Sequence, residues 1–214
     1  MKALDEARLQ KGREVARTLV QNLRSSEIIR ETYPALFEGG VAEGSFHSYM
    51  LSALLLLGDR LRYSAVCDSP IFDRLDNLLL GEGSKRPDSV WFDRGTEIVR
   101  VLIEFERYTA NSLESKARNL LLMANACADD VNLLVLMYWT PQVRTLTELR
   151  TAYEVSKRGF RSKGSQFGPA RCPMLLLETI VKRRTEWLTV DSLVVRQFIF
   201  GGENKHYIVK DLNA

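Results

Sequence analysis

Residues 131–139, VNLLVLMYW, constrain the fold more than any other part of this chain. The run is almost continuously apolar, which fits a strand buried on both faces. Such a strand belongs inside a sheet, between other strands and under helices. The natural neighbour is 97–107. There Val99, Val101, Ile103 and Phe105 fall on one face, and Leu102, Glu104 and Glu106 on the other. The dipeptide Arg94-Gly95 reads as a hairpin turn joining it to a strand over 88–93.

The surrounding segments read as follows. Residues 3–30 form one charged helix, with Leu4, Ala7, Val15, Leu19 and Leu23 at helical spacing, ended by Tyr33-Pro34 and Gly39-Gly40. A helix over 43–61 buries Phe46, Met50, Leu54, Leu57 and Leu61. A β-like run, 62–67, leads into a polar loop with a helical turn near 72–80, then the turn-forming string GEGSKRPD before Asp88. A helix spans 113–127. Beyond Pro141 come a helix over 144–157, a basic loop over 157–173, and a β-rich or mixed stretch over 174–210, with EWLTVDSLVV and RQFIFGG as candidate strands. The expected organisation is an N-terminal helical segment (1–40), a core (41–140) and a C-terminal α/β extension (141–214).

Composition narrows the function classes. Hydrophobic residues make up 45% of 214, enough for a real core, and the net charge of +3 neither announces nor excludes nucleic acid. Cys67, Cys127 and Cys172 are scattered, without a C-x-x-C spacing, and the histidines are His47 and His206. A structural zinc site is not expected. Free thiols suit a reducing cytoplasm. The N-terminus lacks a signal-peptide core, and the apolar run around 54–57 is far too short for a bilayer, so no membrane partner is expected. GEGSKR is not a P-loop, and there is no serine–histidine elbow.

The chemistry concentrates in carboxylates. Hydrolysis of a phosphodiester needs a metal held by hard oxygen ligands and an activated water. Asp88, opening one strand, and Glu104 with Glu106, near the end of the next, can converge across the hairpin. Acids near strand ends also occur on solvated surfaces, but Glu104 sits in VRVLIEF, where a buried carboxylate needs a partner or a cation. Lys116 shares a helix stripe with Leu113, Leu120, Ala124 and Cys127, so it either snorkels or reaches over the sheet to a water or phosphate. Glu43 opens the second helix as a capping acid or a further metal ligand, with His47 one turn on.

P-D, about sixteen positions, E-x-E, then a helix and a hydrophobic strand resembles the PD-(D/E)XK nuclease superfamily. The resemblance implies an α/β, restriction-endonuclease-like α-β-β-β-α-β core with a mixed central sheet, flanked by the N-terminal helix and C-terminal extension. It covers fewer than half of the residues. RPDSVWFD…VLIEFERYTANSLESKARNLL is also similar to the replication-relaxation family of mobile elements, which show P-D, E-x-D-R and a lysine on the following helix. FHSYML is similar to that family's histidine-containing helix. Glu106 stands where the superfamily's usual lysine falls, as it does in some of its nucleases, and Lys116 is the alternative.

The expected activity is therefore a Mg²⁺- or Mn²⁺-dependent DNA nuclease of a mobile element or defence system. Asp88, Glu104 and Glu43 would be metal ligands, and Glu106 or Lys116 would act on the water. Arg158, Arg161, Lys163 and Arg171, around Phe160 and Phe167, are candidate nucleic-acid contacts, with aromatic stacking on bases; a merely solvated basic loop is the plain alternative. Lys182, Arg183 and Arg184 before Trp187 form a second basic group. Two further readings stay open. One is a nuclease-fold binding module without the chemistry; the other is an assembly protein whose N-terminal helix pairs in a homodimer.

Overall fold

The computed structural model describes residues 2–25, 27–67, 86–127, 130–145, 147–162 and 164–199. The expected helical turn at 72–80, Lys163 and His206 lie outside the described residues.

α1 (Lys2–Ser25) carries Val15, Ala16, Leu19 and Val20 into the core, and α2 (Glu27–Thr32) buries Ile29. One helix over 3–30 was expected; the described residues on both sides of residue 26 are helical, and Ile29 joins the same core as Val15, Leu19 and Val20. Pro34 then starts a 3-10 turn, Pro34–Leu36, because proline fits a first helical position but lacks the N–H to continue a helix. β1 (Val41–Ala42) leads directly into α3 (Glu43–Arg60), whose buried face includes Phe46, Met50, Leu54 and Leu57. Gly58 lets α3 press onto the sheet: a Cβ there would lie 2.9 Å from the Trp91 ring.

β2 (Tyr63–Cys67), β3 (Ser89–Asp93) and β4 (Val99–Arg107) form an antiparallel meander. Gly95 turns the β3–β4 hairpin at φ +74°, a conformation glycine adopts without strain. α4 (Ala110–Ala126) starts at a reciprocal cap, in which Ser112 N donates to Thr109 Oγ1 at 3.0 Å and Thr109 N to Ser112 Oγ at 3.1 Å. β5 (Leu133–Thr140) is buried at every position and lies between β4 and β8, an interior strand as its composition requires. α5 (Arg150–Arg158), a small hairpin of β6 (Phe160–Ser162) and β7 (Ser165–Phe167), and the long strands β8 (Met174–Arg184) and β9 (Trp187–Ile199) complete the described chain.

The main sheet has seven strands in the order β1-β9-β8-β5-β4-β3-β2. β4, β5 and β8 run parallel and the other pairings are antiparallel, so the protein is mixed α/β. α1–α3 cover one face, over Val101, Ile103 and Phe105; α4 and α5 cover the other, over Leu102 and Leu136. Among the described residues no helix is long and apolar enough to cross a membrane.

Two expectations change. The helix expected over 144–157 begins only at Arg150. Ahead of it Thr145 and Glu148 cap reciprocally, Thr145 N donating to Glu148 Oε2 at 2.7 Å and Glu148 N to Thr145 Oγ1 at 3.3 Å, and Arg144 N donates to Glu178 Oε1 at 2.8 Å. In the C-terminal stretch, EWLTVDSLVV and the first residues of RQFIFGG form one strand, β9, and MLLLETIVKRR is the strand that pairs with β5. β8 and β9, from the segment read as an extension, are hydrogen-bonded into the same sheet as β2–β5.

Candidate active site

β3 and β4 run antiparallel, so the start of β3 lies beside the end of β4. Asp88 immediately precedes β3, and its Oδ2 accepts from Phe105 N of β4 at 2.7 Å. Strand alternation then sends Phe105 to the α3 face and Glu104 to the α4 face. Lys116 comes down from α4, about two turns after the cap. Its Nζ donates to Glu104 Oε2 at 2.5 Å and to Asp88 Oδ2 at 3.1 Å. The lysine on the apolar stripe faces inward because it has two carboxylates to meet.

The group is buried. Glu104 is 0% exposed and Asp88 8%. Glu104 Oε1 is buried with no hydrogen-bond partner among the described residues. On the α3 side, His47 Nε2 donates to the Phe105 carbonyl oxygen at 2.9 Å and stands 3.8 Å from Asp88 Oδ2. Since both neighbours are acceptors, the proton sits on Nε2.

These contacts separate the two acids electrostatically. Burial alone would raise the Asp88 carboxyl, but His47, the Lys116 ammonium and the Phe105 N–H outweigh it and hold it at about 2. Burial raises Glu104 well above the usual range, and the Asp88 charge adds to this; Lys116 offsets only part. For Lys116 desolvation works against the charge, but the two carboxylates win and its pKa is raised. The facing Asp88 carboxylate raises His47 in spite of its partial burial. With both acids ionised and His47 neutral, the cluster carries one uncompensated negative charge.

Other expected site residues stand apart from this cluster. Glu43 is gripped by two arginines: Arg107 Nη1 lies 2.8 Å from Oε1, and Arg183 contacts Oε2. Glu106, partly exposed at the end of β4, accepts from its neighbour Arg107 N at 2.8 Å. Arg158 pairs with Glu154 at 2.8 Å, Arg161 donates to Gln166 at 3.0 Å, and Arg171 is exposed. The stacking role given to Phe160 is corrected. Phe160 is buried, and its ring stacks on that of Phe167 with centroids 5.0 Å apart, leaving Phe160 no open face for a base.

One buried acid escaped the sequence reading. Glu178 of β8 is 0% exposed and sits opposite Tyr138 of β5. Its Oε1 takes the Arg144 N–H, and Arg196 Nε lies 3.5 Å from Oε2. A glutamate inside MLLLETIV is the same signal that marked Glu104 in VRVLIEF. Unlike Glu104, it has its own arginine.

Among the described residues no group of three or more histidine, cysteine, aspartate and glutamate side chains is gathered for a metal. Asp88 and Glu104 therefore offer a two-carboxylate platform. Mg²⁺ is commonly held by one or two carboxylates, with water and substrate phosphate completing its shell. The orphaned Glu104 Oε1 and the hard oxygen donors fit such an ion. Compared with known proteins, the chain matches no family model, no curated protein and no solved structure.

Proposed function

We propose that this chain is a divalent-metal-dependent nuclease that hydrolyses phosphodiester bonds in DNA, in a mobile element or defence system. We read α3-β2-β3-β4-α4-β5 as the restriction-endonuclease-like core, with β8 and β9 widening its sheet. One observation carries the reading: two carboxylates, one just before β3 and one on β4, share one lysine in a buried cluster, and among the described residues Glu104 Oε1 has no hydrogen-bond partner. Carboxylates on rigid neighbouring strands are what a precise metal site needs.

Asp88 would be the permanent anion of the site, fixed by the Phe105 N–H. Glu104 would bind as it gives up its proton. A bound Mg²⁺ or Mn²⁺ polarises the phosphate and lowers the pKa of a coordinated water. Lys116, released from part of its contact with the acids, would orient the water or a phosphate oxygen. Glu106, on the same strand face as Glu104, is the second group able to accept a proton at the rim.

A specific observation favours a second reading, a nuclease-fold binding or assembly protein without catalysis. Lys116 already bonds both acids, as a buried structural triad would. Calorimetric titration with Mn²⁺ separates the two. The nuclease reading expects binding by wild type and none by Asp88→Ala, with metal-dependent nicking of plasmid DNA by wild type alone. Absence of binding by wild type leaves the structural triad.

A further inference from the structure

Arg107 and Arg183 come from strands that are not neighbours, β4 and β8, with β5 between them. Both end on the carboxylate of Glu43, which opens α3. One acid facing two guanidiniums leaves one net positive charge. Each guanidinium has five N–H donors, and the one carboxylate between them has about four lone-pair sites, so most donors remain. The side chains are 61% and 48% exposed, while Glu43 is 29% exposed. The Arg107 guanidinium also lies over the Trp139 ring, 5.3 Å from its centroid, which restrains its plane.

The position matters as much as the charge. Glu43 and His47 are four residues apart on one face of α3, about 5–6 Å along the helix. His47 in turn lies 3.8 Å from Asp88. Arg107 follows Glu104 by three residues at the end of β4, about 10 Å of extended chain, on the α3 face with His47 while Glu104 takes the α4 face. The acid pair itself repels a phosphodiester, so a substrate must be drawn in by cations at the rim.

We propose that Arg107 and Arg183, held in place by Glu43, form an anion site that takes a backbone phosphate of the nucleic acid beside the scissile one. The proposal rests on the nuclease reading for the identity of the substrate. It gives Glu43 the role of positioning two arginines. A fork of two guanidiniums suits a phosphate better than one ammonium does, because several planar N–H donors meet its oxygens together.

The test is fluorescence anisotropy of a labelled single-stranded oligonucleotide, in EDTA so that metal plays no part. The variants are Arg107→Ala/Arg183→Ala and the triple variant that adds Glu43→Gln, which avoids stranding a carboxylate. Circular dichroism checks the fold. Both variants are expected to bind at least tenfold more weakly than wild type. The slope of log K against log salt is expected to fall by about 0.7 for each phosphate of the single strand that the arginines no longer neutralise. Wild-type affinity and slope in the folded triple variant would overturn the site. Displacement of the oligonucleotide only at millimolar inorganic phosphate supports a backbone phosphate. Tight binding of inorganic phosphate without oligonucleotide binding overturns it. The anion site and the nuclease can fail separately: oligonucleotide binding that depends on the arginines, without cleavage by wild type, keeps the anion site and removes the nuclease. Cleavage by wild type with unchanged binding in the variants does the reverse.

Discussion

Replacing Lys116 by methionine removes the ammonium held 2.5 Å from Glu104 and 3.1 Å from Asp88 while keeping most of the side-chain volume. The lysine is 20% exposed and Glu104 not at all, so the acids lose a poorly screened counter-charge. Removing one partner of a buried ion pair typically costs about 3–5 kcal/mol. In a domain of this size roughly 1 kcal/mol moves the melting temperature by about 2–4 °C, so Lys116→Met should melt about 6–20 °C below wild type at pH 7. On the nuclease reading a divalent ion would be the alternative counter-charge for the same acids. At a hundred times its dissociation constant it returns about 2.7 kcal/mol. Mn²⁺ should therefore raise the melting temperature of the variant, and by more than that of wild type, where Lys116 competes with it. Acid should help in the same direction. A carboxyl whose folded pKa is raised loses stability as pH climbs through its ordinary range. The deficit of Lys116→Met should thus shrink as the pH falls toward 5. Differential scanning fluorimetry with and without Mn²⁺ measures all of this. A variant as stable as wild type, or one indifferent to Mn²⁺, would refute the view that lysine and metal compensate one acid pair.

Metal affinity should rise with pH, because the Glu104 carboxyl is raised and a proton competes there with the ion; Mn²⁺ calorimetry between pH 5.5 and 8 checks the sign. Asp88→Asn should keep the fold but weaken it by about 1–3 kcal/mol in urea melts, because the Phe105 N–H and Lys116 lose a charged acceptor. Glu106→Ala should reduce cleavage far less than Glu104→Ala, since Glu106 is partly exposed and, among the described residues, bonded only to its neighbour's N–H; a single-turnover cleavage rate measures it.

The core strands and the acid–lysine cluster were legible because their signals are local. VNLLVLMYW is buried on both faces in any register, and the alternation in VRVLIEF fixes which face Glu104 takes. The inward turn of Lys116 follows from its place on an apolar stripe. What could not be read depended on distant partners. MLLLETIVKRR mixes an acid and three cations with apolar residues, and only pairing with β5 on one side and β9 on the other shows why it is a central strand. Glu43 meets arginines 64 and 140 residues away in sequence, so spacing alone could not separate a capping acid from an arginine anchor. The helix expected from 144 starts later, at Arg150, behind a reciprocal cap between Thr145 and Glu148, a T-x-x-E pattern that the sequence did carry.

Cleavage is the most direct test of the nuclease. Supercoiled plasmid and single- and double-stranded oligonucleotides are incubated with wild type, Asp88→Ala and Glu104→Ala in Mg²⁺, Mn²⁺ or EDTA. Wild type should cleave with metal and not in EDTA. Either variant should be slower by orders of magnitude, because metal-assisted charge stabilisation supplies several kcal/mol. Equal cleavage by wild type and Asp88→Ala, or none by wild type on any substrate with any metal, would contradict the nuclease.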